Sequence, residues 1–380
     1  MFCTFHNIRI AGVHTVVPEQ EIRLEDEAEY YGGNLKKIQR IRSMAGMDTR
    51  RVCPDGVTAS DLCASAANSL LQGASSSRNE IDVLIFVSQT PDYDLPATAC
   101  ILQHRLGLPE HCAAFDVGQG CAGYVYGLWL AASLLSSGAA RQTLLLVGEA
   151  RPQRYDPRNR IVAPVFGDSG SATLLVHDET APPMHFCLGT DGSGYDAIII
   201  PAGRARIPYA RTFGENRDIF SDILDQAGTP WRLNELYMNG GAIFDFSTTV
   251  VPQLVDNTLK QAGVAREHVD YLVLHQANKQ IMETIAHKTG FSLEKTPTAS
   301  FSKFGNLLGA SIPAALCDAF GNGAKPGCLL LCGYGVGLSW GACLAHVDSW
   351  QCAPVRDFSP PANHPSRQVL IQQWRKRFSE

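Results

Sequence analysis

Two stretches of this chain repeat one pattern, and the repeat restricts the possible fold more than any other feature. A helix leading into a strand has the sequence ASDLCASAANSLLQGASSSRNEIDVLIFV, and it is echoed by TTVVPQLVDNTLKQAGVAREHVDYLVLH. Aligning Asp82 with Asp270 gives an offset of 188 residues, and aligning Gly148 with Gly333 gives 185. We interpret the repeat as an internal duplication, and chance similarity between two α/β halves is the alternative.

Strands and helices alternate along both halves. Short apolar runs between turn residues predict strands buried on both faces, at Val83–Val87, Thr143–Val147, Ala172–Val176, Tyr271–Leu274, Leu329–Cys332 and Gly341–Val347. Helices are predicted between them, among others at Ala59–Gly73, Tyr124–Ser137, Thr248–Ala262 and Lys279–Thr289. This alternation predicts a layered α/β fold.

The duplication also divides the chain. We expect an N-terminal half over residues 1–180 and a C-terminal half over residues 230–348. Residues 181–229 form the segment between the halves, and residues 349–380 form a charged tail that contains proline.

Composition excludes several classes of protein. The 380 residues carry 32 Lys+Arg against 37 Asp+Glu, so a general nucleic-acid binder is not expected. The 12 cysteines form no CxxC pair, and His and Cys show no zinc spacing, so we expect reduced thiols, no metal and a cytoplasmic protein. The uncharged stretch Val117–Ala140 contains Gln119 and several glycines, so it predicts a buried helix and no membrane span.

Cys121 is the first candidate for chemistry. Asp116 and Val117 end a strand, Gly118 and Gly120 form a turn, and a helix begins at or near Cys121. A thiol at a helix N-terminus faces unpaired N–H groups, which predicts a thiol pKa below its ordinary value and a nucleophilic role. A packed core thiol is the alternative.

His275 and Asn306 are the other two candidates. His275 follows the strand DYLVL, and the carboxyl end of a strand is where α/β sheets bind ligands. Asn306 lies 185 residues after Cys121, so the duplication would bring both turns to one central site. The alternatives are an ordinary loop histidine and an ordinary turn asparagine.

Together the three side chains suit acyl transfer. A thiolate can hold an acyl group as a thioester, and a neutral imidazole and a neutral amide can each donate to a carbonyl that is becoming an enolate.

Five motifs resemble the β-ketoacyl-acyl-carrier-protein synthase III family of the thiolase superfamily: DVGQGCAGYVYGL, VFGDSGSATLL, LHQANKQI, FGNLLGASIP and GYGVGLSWGACL. The resemblance implies a thiolase-like, five-layered αβαβα fold of two duplicated halves, usually in a homodimer. It implies an acyltransferase that condenses an acyl group with a malonyl or β-ketoacyl thioester, with loss of CO2. It also implies acyl-CoA and acyl carrier protein as partners, phosphopantetheine thioesters as substrates, and no permanently bound cofactor.

The resemblance also implies residue roles. Cys121 would be the nucleophile, His275 and Asn306 would stabilise the enolate, and the backbone N–H groups of Cys121 and Val336 would form the oxyanion hole. Substrate-binding positions carried over from the family are Leu95, Met238, Gly240, Phe244, Asn278 and Arg160. Arg151, Arg154 and Arg158 would add positive charge near the nucleotide, with a solvated loop as the alternative.

Two departures from the family pattern concern substrate choice. Leu95 stands where short-chain enzymes have a phenylalanine that reaches into the partner's acyl pocket, and Gln280 replaces an arginine implicated in carrier-protein docking. We therefore expect a homologue from specialised metabolism that accepts a longer or different acyl group. The alternatives are an acyltransferase that forms esters or amides with the same cysteine, and a non-catalytic subunit of a heterodimeric synthase.

Overall fold

The computed structural model describes residues 1–73, 77–151, 155–209, 217–226 and 228–379. The α-helices in these ranges are α1 Leu35–Ala45, α2 Ala59–Gly73, α3 Thr98–Arg105, α4 Gly123–Ser136, α5 Gly240–Ala262, α6 Lys279–Thr289, α7 Ala299–Phe304, α8 Ser311–Phe320 and α9 Arg367–Ser379. The strands are β1 Phe2–Phe5, β2 Ile8–Pro18, β3 Glu21–Arg23, β4 Thr49–Arg51, β5 Val83–Val87, β6 Ala113–Val117, β7 Gln142–Glu149, β8 Ser169–His177, β9 Met184–Thr190, β10 Ile198–Ile199, β11 Ile223–Leu224, β12 Pro230–Trp231, β13 Tyr237–Met238, β14 Tyr271–Leu274, β15 Gly327–Gly335, β16 Ser339–Val347, β17 Gln351–Cys352 and β18 Arg356–Phe358.

Two mixed sheets form the body of the molecule. The first has the order β17-β2-β8-β7-β5-β6, with β18 also paired to β2, and the second has the order β1-β9-β16-β15-β14. In the first sheet β5 runs parallel to both β6 and β7, while β8 is antiparallel to β7. The second sheet repeats this arrangement, since β14 is parallel to β15 and β16 is antiparallel to β15.

The two faces of each sheet belong to different cores, because successive side chains of a strand point to opposite faces. On β5, Ile85 packs inward with α4 and α8, whereas Phe86 packs outward against α2 and α3. On β15, Leu331 packs inward and Leu330 packs outward against α5 and α6. Helices α4 and α8 thus form a buried layer between the sheets, and the five-layered αβαβα fold expected from the sequence is confirmed.

Some elements differ from the sequence prediction. Helix α5 begins at Gly240 rather than at Thr248, because the Asn239 side chain accepts the Ala242 N–H at 3.1 Å and caps an earlier start. Strand β9, inside the predicted segment 181–229, lies in the second sheet, and β1 pairs with it. The tail strands β17 and β18 pair with β2. Edge strands from distant parts of the chain thus complete both sheets.

Helix α4 covers most of the apolar stretch that is long enough to cross a bilayer. It is 14 residues long and buries eight of them within the protein. Across the described ranges, no helix combines the length and the apolar character that crossing a membrane requires.

Candidate active site

Cys121 lies in the turn between β6 and α4, with 6% of its surface exposed. The β15–β16 connection approaches it closely, since a Cβ on Gly335 would lie 2.8 Å from the Cys121 Sγ. Gly335 has φ +152°, which L side chains rarely adopt, so glycine alone fits here. The close approach brings the backbone N–H of Val336 to the sulfur, where it hydrogen bonds and lowers the pKa of the Cys121 thiol.

The prediction of a lowered Cys121 pKa is wrong for the free protein. Burial raises the pKa of this thiol to about 11, against smaller lowering contributions from the Val336 backbone and the Arg151 charge. The first regular residue of α4 is Gly123, with Ala122 as its N-cap, so Cys121 precedes the helix. Desolvation of the thiolate outweighs these favourable interactions.

His275 follows β14 directly and is 2% exposed. Its Nδ1 lies 2.6 Å from the Ser311 Oγ at the start of α8, and the Tyr334 hydroxyl donates to its carbonyl oxygen at 3.0 Å. The Tyr334 ring meets the imidazole edge-on, with centroids 5.4 Å apart. Burial lowers the pKa of His275 to about 4, against a smaller opposite contribution from the Leu308 backbone, so the imidazole is neutral at pH 7.

Asn306 lies between α7 and α8 and is 6% exposed. Its backbone N–H donates to the Val165 carbonyl at 2.9 Å, and its Oδ1 accepts the Leu308 N–H at 2.9 Å. Because the oxygen is engaged, the Nδ2 group is the part of this amide available as a donor. The only protein acceptor for Nδ2 in the described residues is the Ala277 carbonyl, at a long 3.5 Å.

The three candidates line one cavity of about 820 Å³, together with Val336. The turns before Cys121 and after Asn306 also pack together, since a Cβ on Gly309 would lie 3.0 Å from the Gly120 carbonyl oxygen. The structure thus brings the two turns that the 185-residue offset relates to one cavity.

The predicted substrate-binding residues divide into two groups. Met238 and Asn278 line the cavity, and Asn278 Oδ1 also caps α6 by accepting the Ile281 N–H at 2.8 Å. The other four lie outside the lining: Gly240 begins α5, Phe244 packs against the outer face of the second sheet, Arg160 is exposed and Leu95 is 82% exposed.

Comparison with known proteins decides the family. Residues 115–192 and 259–347 match the profiles described as 3-oxoacyl-[acyl-carrier-protein (ACP)] synthase III and its C-terminal part. A Beta-ketoacyl-[acyl-carrier-protein] synthase III of Rhodopirellula baltica is 34% identical over 358 residues, covering 89% of this chain and 97% of the relative. The chain belongs to the 3-oxoacyl-[acyl-carrier-protein] synthase III family.

Further comparisons agree with this assignment. A Campylobacter jejuni relative is 36% identical over 339 residues, covering 89% of this chain and 93% of its own length. The crystal structure of a 3-oxoacyl-(acyl-carrier protein) synthase from Burkholderia xenovorans superimposes with a TM-score of 0.85 at 34% identity, covering 94% of this chain and 99% of that one. This synthase III-family chain is therefore an acyltransferase of the ketosynthase type.

Two of the three arginines that the resemblance placed near a nucleotide lie in the described residues of this synthase III-family chain. Arg151 is buried beside the cavity, where its Nη2 donates to the Gln89 Oε1 at 3.0 Å and lies 3.3 Å from the Glu149 Oε2. Arg158 pairs with Asp156 and Asp222. Arg154 lies outside the described residues. The solvated-loop alternative is wrong for Arg151, because its ion pair with Glu149, the last residue of β7, turns the guanidinium into the protein.

Sequence reasoning also missed residues that support the site. Ser311 holds His275, Tyr334 packs on it, and Leu308 fixes the amide of Asn306. Ser311 and Leu308 belong to the motif FGNLLGASIP, so the sequence marked the segment that contains them. Their partners could not be predicted, because these depend on the packing of α8 against β14.

Proposed function

We propose that Cys121 carries an acyl group as a thioester and that this group condenses with a malonyl thioester, which loses CO2. The supporting observation is that one buried cavity collects a thiol, a neutral imidazole and an amide with a nearly unused Nδ2 group. The acyl donor is acyl-CoA or acyl carrier protein, and the route is fatty-acid or specialised biosynthesis.

The first step is a thioester exchange. The Cys121 Sγ attacks the carbonyl carbon of the donor thioester, the pantetheine sulfur leaves, and the cysteine proton ends on that leaving thiol. The backbone N–H groups of Cys121 and Val336, which both hydrogen bond the sulfur in the free protein, donate to the oxyanion that forms on the acyl carbonyl.

The second step forms the carbon–carbon bond. The bond between the malonyl carboxylate and its α-carbon breaks, CO2 leaves, and the electron pair moves into an enolate. His275 and Asn306 donate hydrogen bonds to the enolate oxygen, and the enolate carbon attacks the Cys121 thioester, releasing the cysteine thiolate. Both donors are neutral, so neither places a negative charge beside the enolate.

The low His275 pKa also favours condensation over the alternative of ester or amide formation. Such an acyltransferase needs a base to take a proton from an alcohol or amine, and bases work best with a pKa near the working pH. A histidine with a pKa of about 4 is a weak base, but it remains a good neutral donor. A non-catalytic subunit would have no need to keep all three side chains.

The proposal includes a cytoplasmic homodimer. Leu95 supports it, because a leucine that is 82% exposed in one chain is suited to burial against a second copy. In that dimer Leu95 would reach the partner's acyl pocket, and its flexible side chain would admit an acyl group other than acetyl.

The test combines mass spectrometry and gas release. The purified protein is incubated with acyl-CoAs from acetyl to dodecanoyl, then with malonyl-acyl-carrier protein, and adduct mass, CO2 and β-ketoacyl product are measured. We expect an adduct on Cys121, absent in Cys121→Ala and retained in the control Cys112→Ala, whose thiol lies in the outer core beside α3. An adduct that persists in Cys121→Ala, or no CO2 from malonyl donors, would refute the proposal. Adducts from acetyl-CoA alone would contradict the expected acyl preference.

A further inference from the structure

An ion pair that the proposed reaction does not use lies beside Cys121, and its arginine lines the cavity. The side chains of Arg151 and Glu149 are only 4% and 1% exposed. Glu149 also accepts the Gln89 N–H at 2.8 Å and the Thr90 hydroxyl at 2.9 Å. A buried guanidinium held this firmly has a fixed position relative to whatever enters the cavity.

One donor in this cluster, the Arg151 Nε, lacks an acceptor. The hydrogen bonds from Arg151 to Gln89 and Glu149 come from Nη2, while Nε is buried without a partner and the neighbouring Tyr155 hydroxyl is buried without one too. The half-buried Gln89 side chain receives one of these bonds at its Oε1, which turns its Nε2 group away from Arg151. A buried donor without an acceptor is costly, so an oxygen atom supplied by a ligand would stabilise the Arg151 side chain.

The cluster lies next to the acyl-bearing position. A Cβ on Gly120, the residue before Cys121, would lie 2.6 Å from the Gln89 Oε1. Arg151, Gln89 and Cys121 all line the same cavity, and the Arg151 charge acts on the Cys121 thiol. An acyl chain that starts at the sulfur therefore enters a cavity whose lining includes both Arg151 and Gln89.

We propose that Arg151 and Gln89 form a polar subsite that selects acyl groups bearing an uncharged oxygen, a hydroxyl or a ketone, on their first few carbons. This inference rests on the proposed role of Cys121. An acyl carboxylate fits less well, because Glu149 already balances the guanidinium and a second buried negative charge would lie beside it. A plain alkyl chain would leave the Arg151 Nε unsatisfied.

The experiment compares matched four-carbon donors. Acylation of Cys121 by 3-hydroxybutyryl-, 4-hydroxybutyryl-, acetoacetyl-, butyryl- and succinyl-CoA is followed by intact mass, and kcat/KM is measured for CoA release. We expect at least one hydroxy- or ketoacyl donor to exceed butyryl-CoA by about tenfold or more.

Variants of Arg151 and Glu149 test whether the subsite causes that preference. Arg151→Lys keeps a positive charge for Glu149 but removes the Nε donor, and Glu149→Gln/Arg151→Met removes both charges together. In both variants the ratio between oxygenated and plain donors should fall to within about twofold. Arg158→Lys, which alters an ion pair outside the cavity, should keep the wild-type ratio. A ratio measured within one variant is independent of how much of the protein is folded.

The outcomes are distinguishable. Equal rates for oxygenated and plain donors, a preference for succinyl-CoA, or a ratio that Arg151→Lys leaves unchanged would each overturn the polar subsite while leaving the thioester on Cys121 intact. No adduct from any donor would instead refute the proposed function.

Discussion

The buried imidazole of His275 makes a quantitative prediction about stability and pH. Its pKa is about 4 in the folded protein and 6.5 when exposed to solvent, and burial is the main cause. Between pH 6.5 and 4, His275 therefore binds a proton in the unfolded chain but stays largely unprotonated in the folded chain. Stability from this group is complete above pH 6.5 and is lost as the pH falls toward 4.

The size of the effect follows from the two pKa values. At pH 5 the proton binds the unfolded histidine almost fully and the folded one hardly at all, which lowers the free energy of unfolding by about 2 kcal/mol relative to pH 8. The variant His275→Gln is neutral at both pH values, so it should lack this contribution. The fall in stability from pH 8 to pH 5 should be about 2 kcal/mol smaller in the variant than in the wild type.

Urea unfolding of the wild type and of His275→Gln at pH 8 and pH 5, at one protein concentration, measures how much the free energy of unfolding of each falls between the two pH values. His14, which is 5% exposed and whose pKa burial also lowers to about 4, supplies a matched variant, His14→Gln, with an effect of the same sign. In wild-type protein with 13C-labelled histidine, the ring signal that disappears in His275→Gln should not titrate between pH 8 and 5. Equal falls in stability for wild type and His275→Gln, or a titrating ring signal, would refute the reasoning.

Two more predictions concern the cavity. Asn306→Asp keeps the acceptor for the Leu308 N–H but removes the Nδ2 donor and adds a negative charge. The rate of malonyl decarboxylation, measured as CO2 release, should therefore fall by about 10²–10³-fold, while intact mass should show that Cys121 still acylates. An unchanged CO2 rate would contradict the role of the amide. Gly335→Ala would place a Cβ 2.8 Å from the Cys121 Sγ, so the free energy of unfolding should drop by about 1–3 kcal/mol and the rate of iodoacetamide labelling of Cys121 should change. Gly118→Ala is the control: its Cβ position is open space, so stability and labelling should both stay as in the wild type.

Several elements were predictable because their sequence pattern is local. Strands β5 and β14 and helices α2 and α6 have the predicted bounds, since an apolar run or a helical period stands between clear turn residues. Asn278 before α6 is a typical N-cap. The start of α5 was missed because two glycines obscure it, and β1 and β9 were missed because each strand exists only by pairing with the other and with the second sheet.

The sequence alone determined the layered fold and the identity of the three side chains in the cavity, because hydrophobic periods and motifs are written in residue order. Tertiary structure decided how those side chains behave. Burial raises the pKa of Cys121 and lowers that of His275, and packing turns Arg151 inward to Glu149 rather than outward to solvent. Desolvation and pairing depend on which distant parts of the chain surround a group, and that information arises only when the two halves come together.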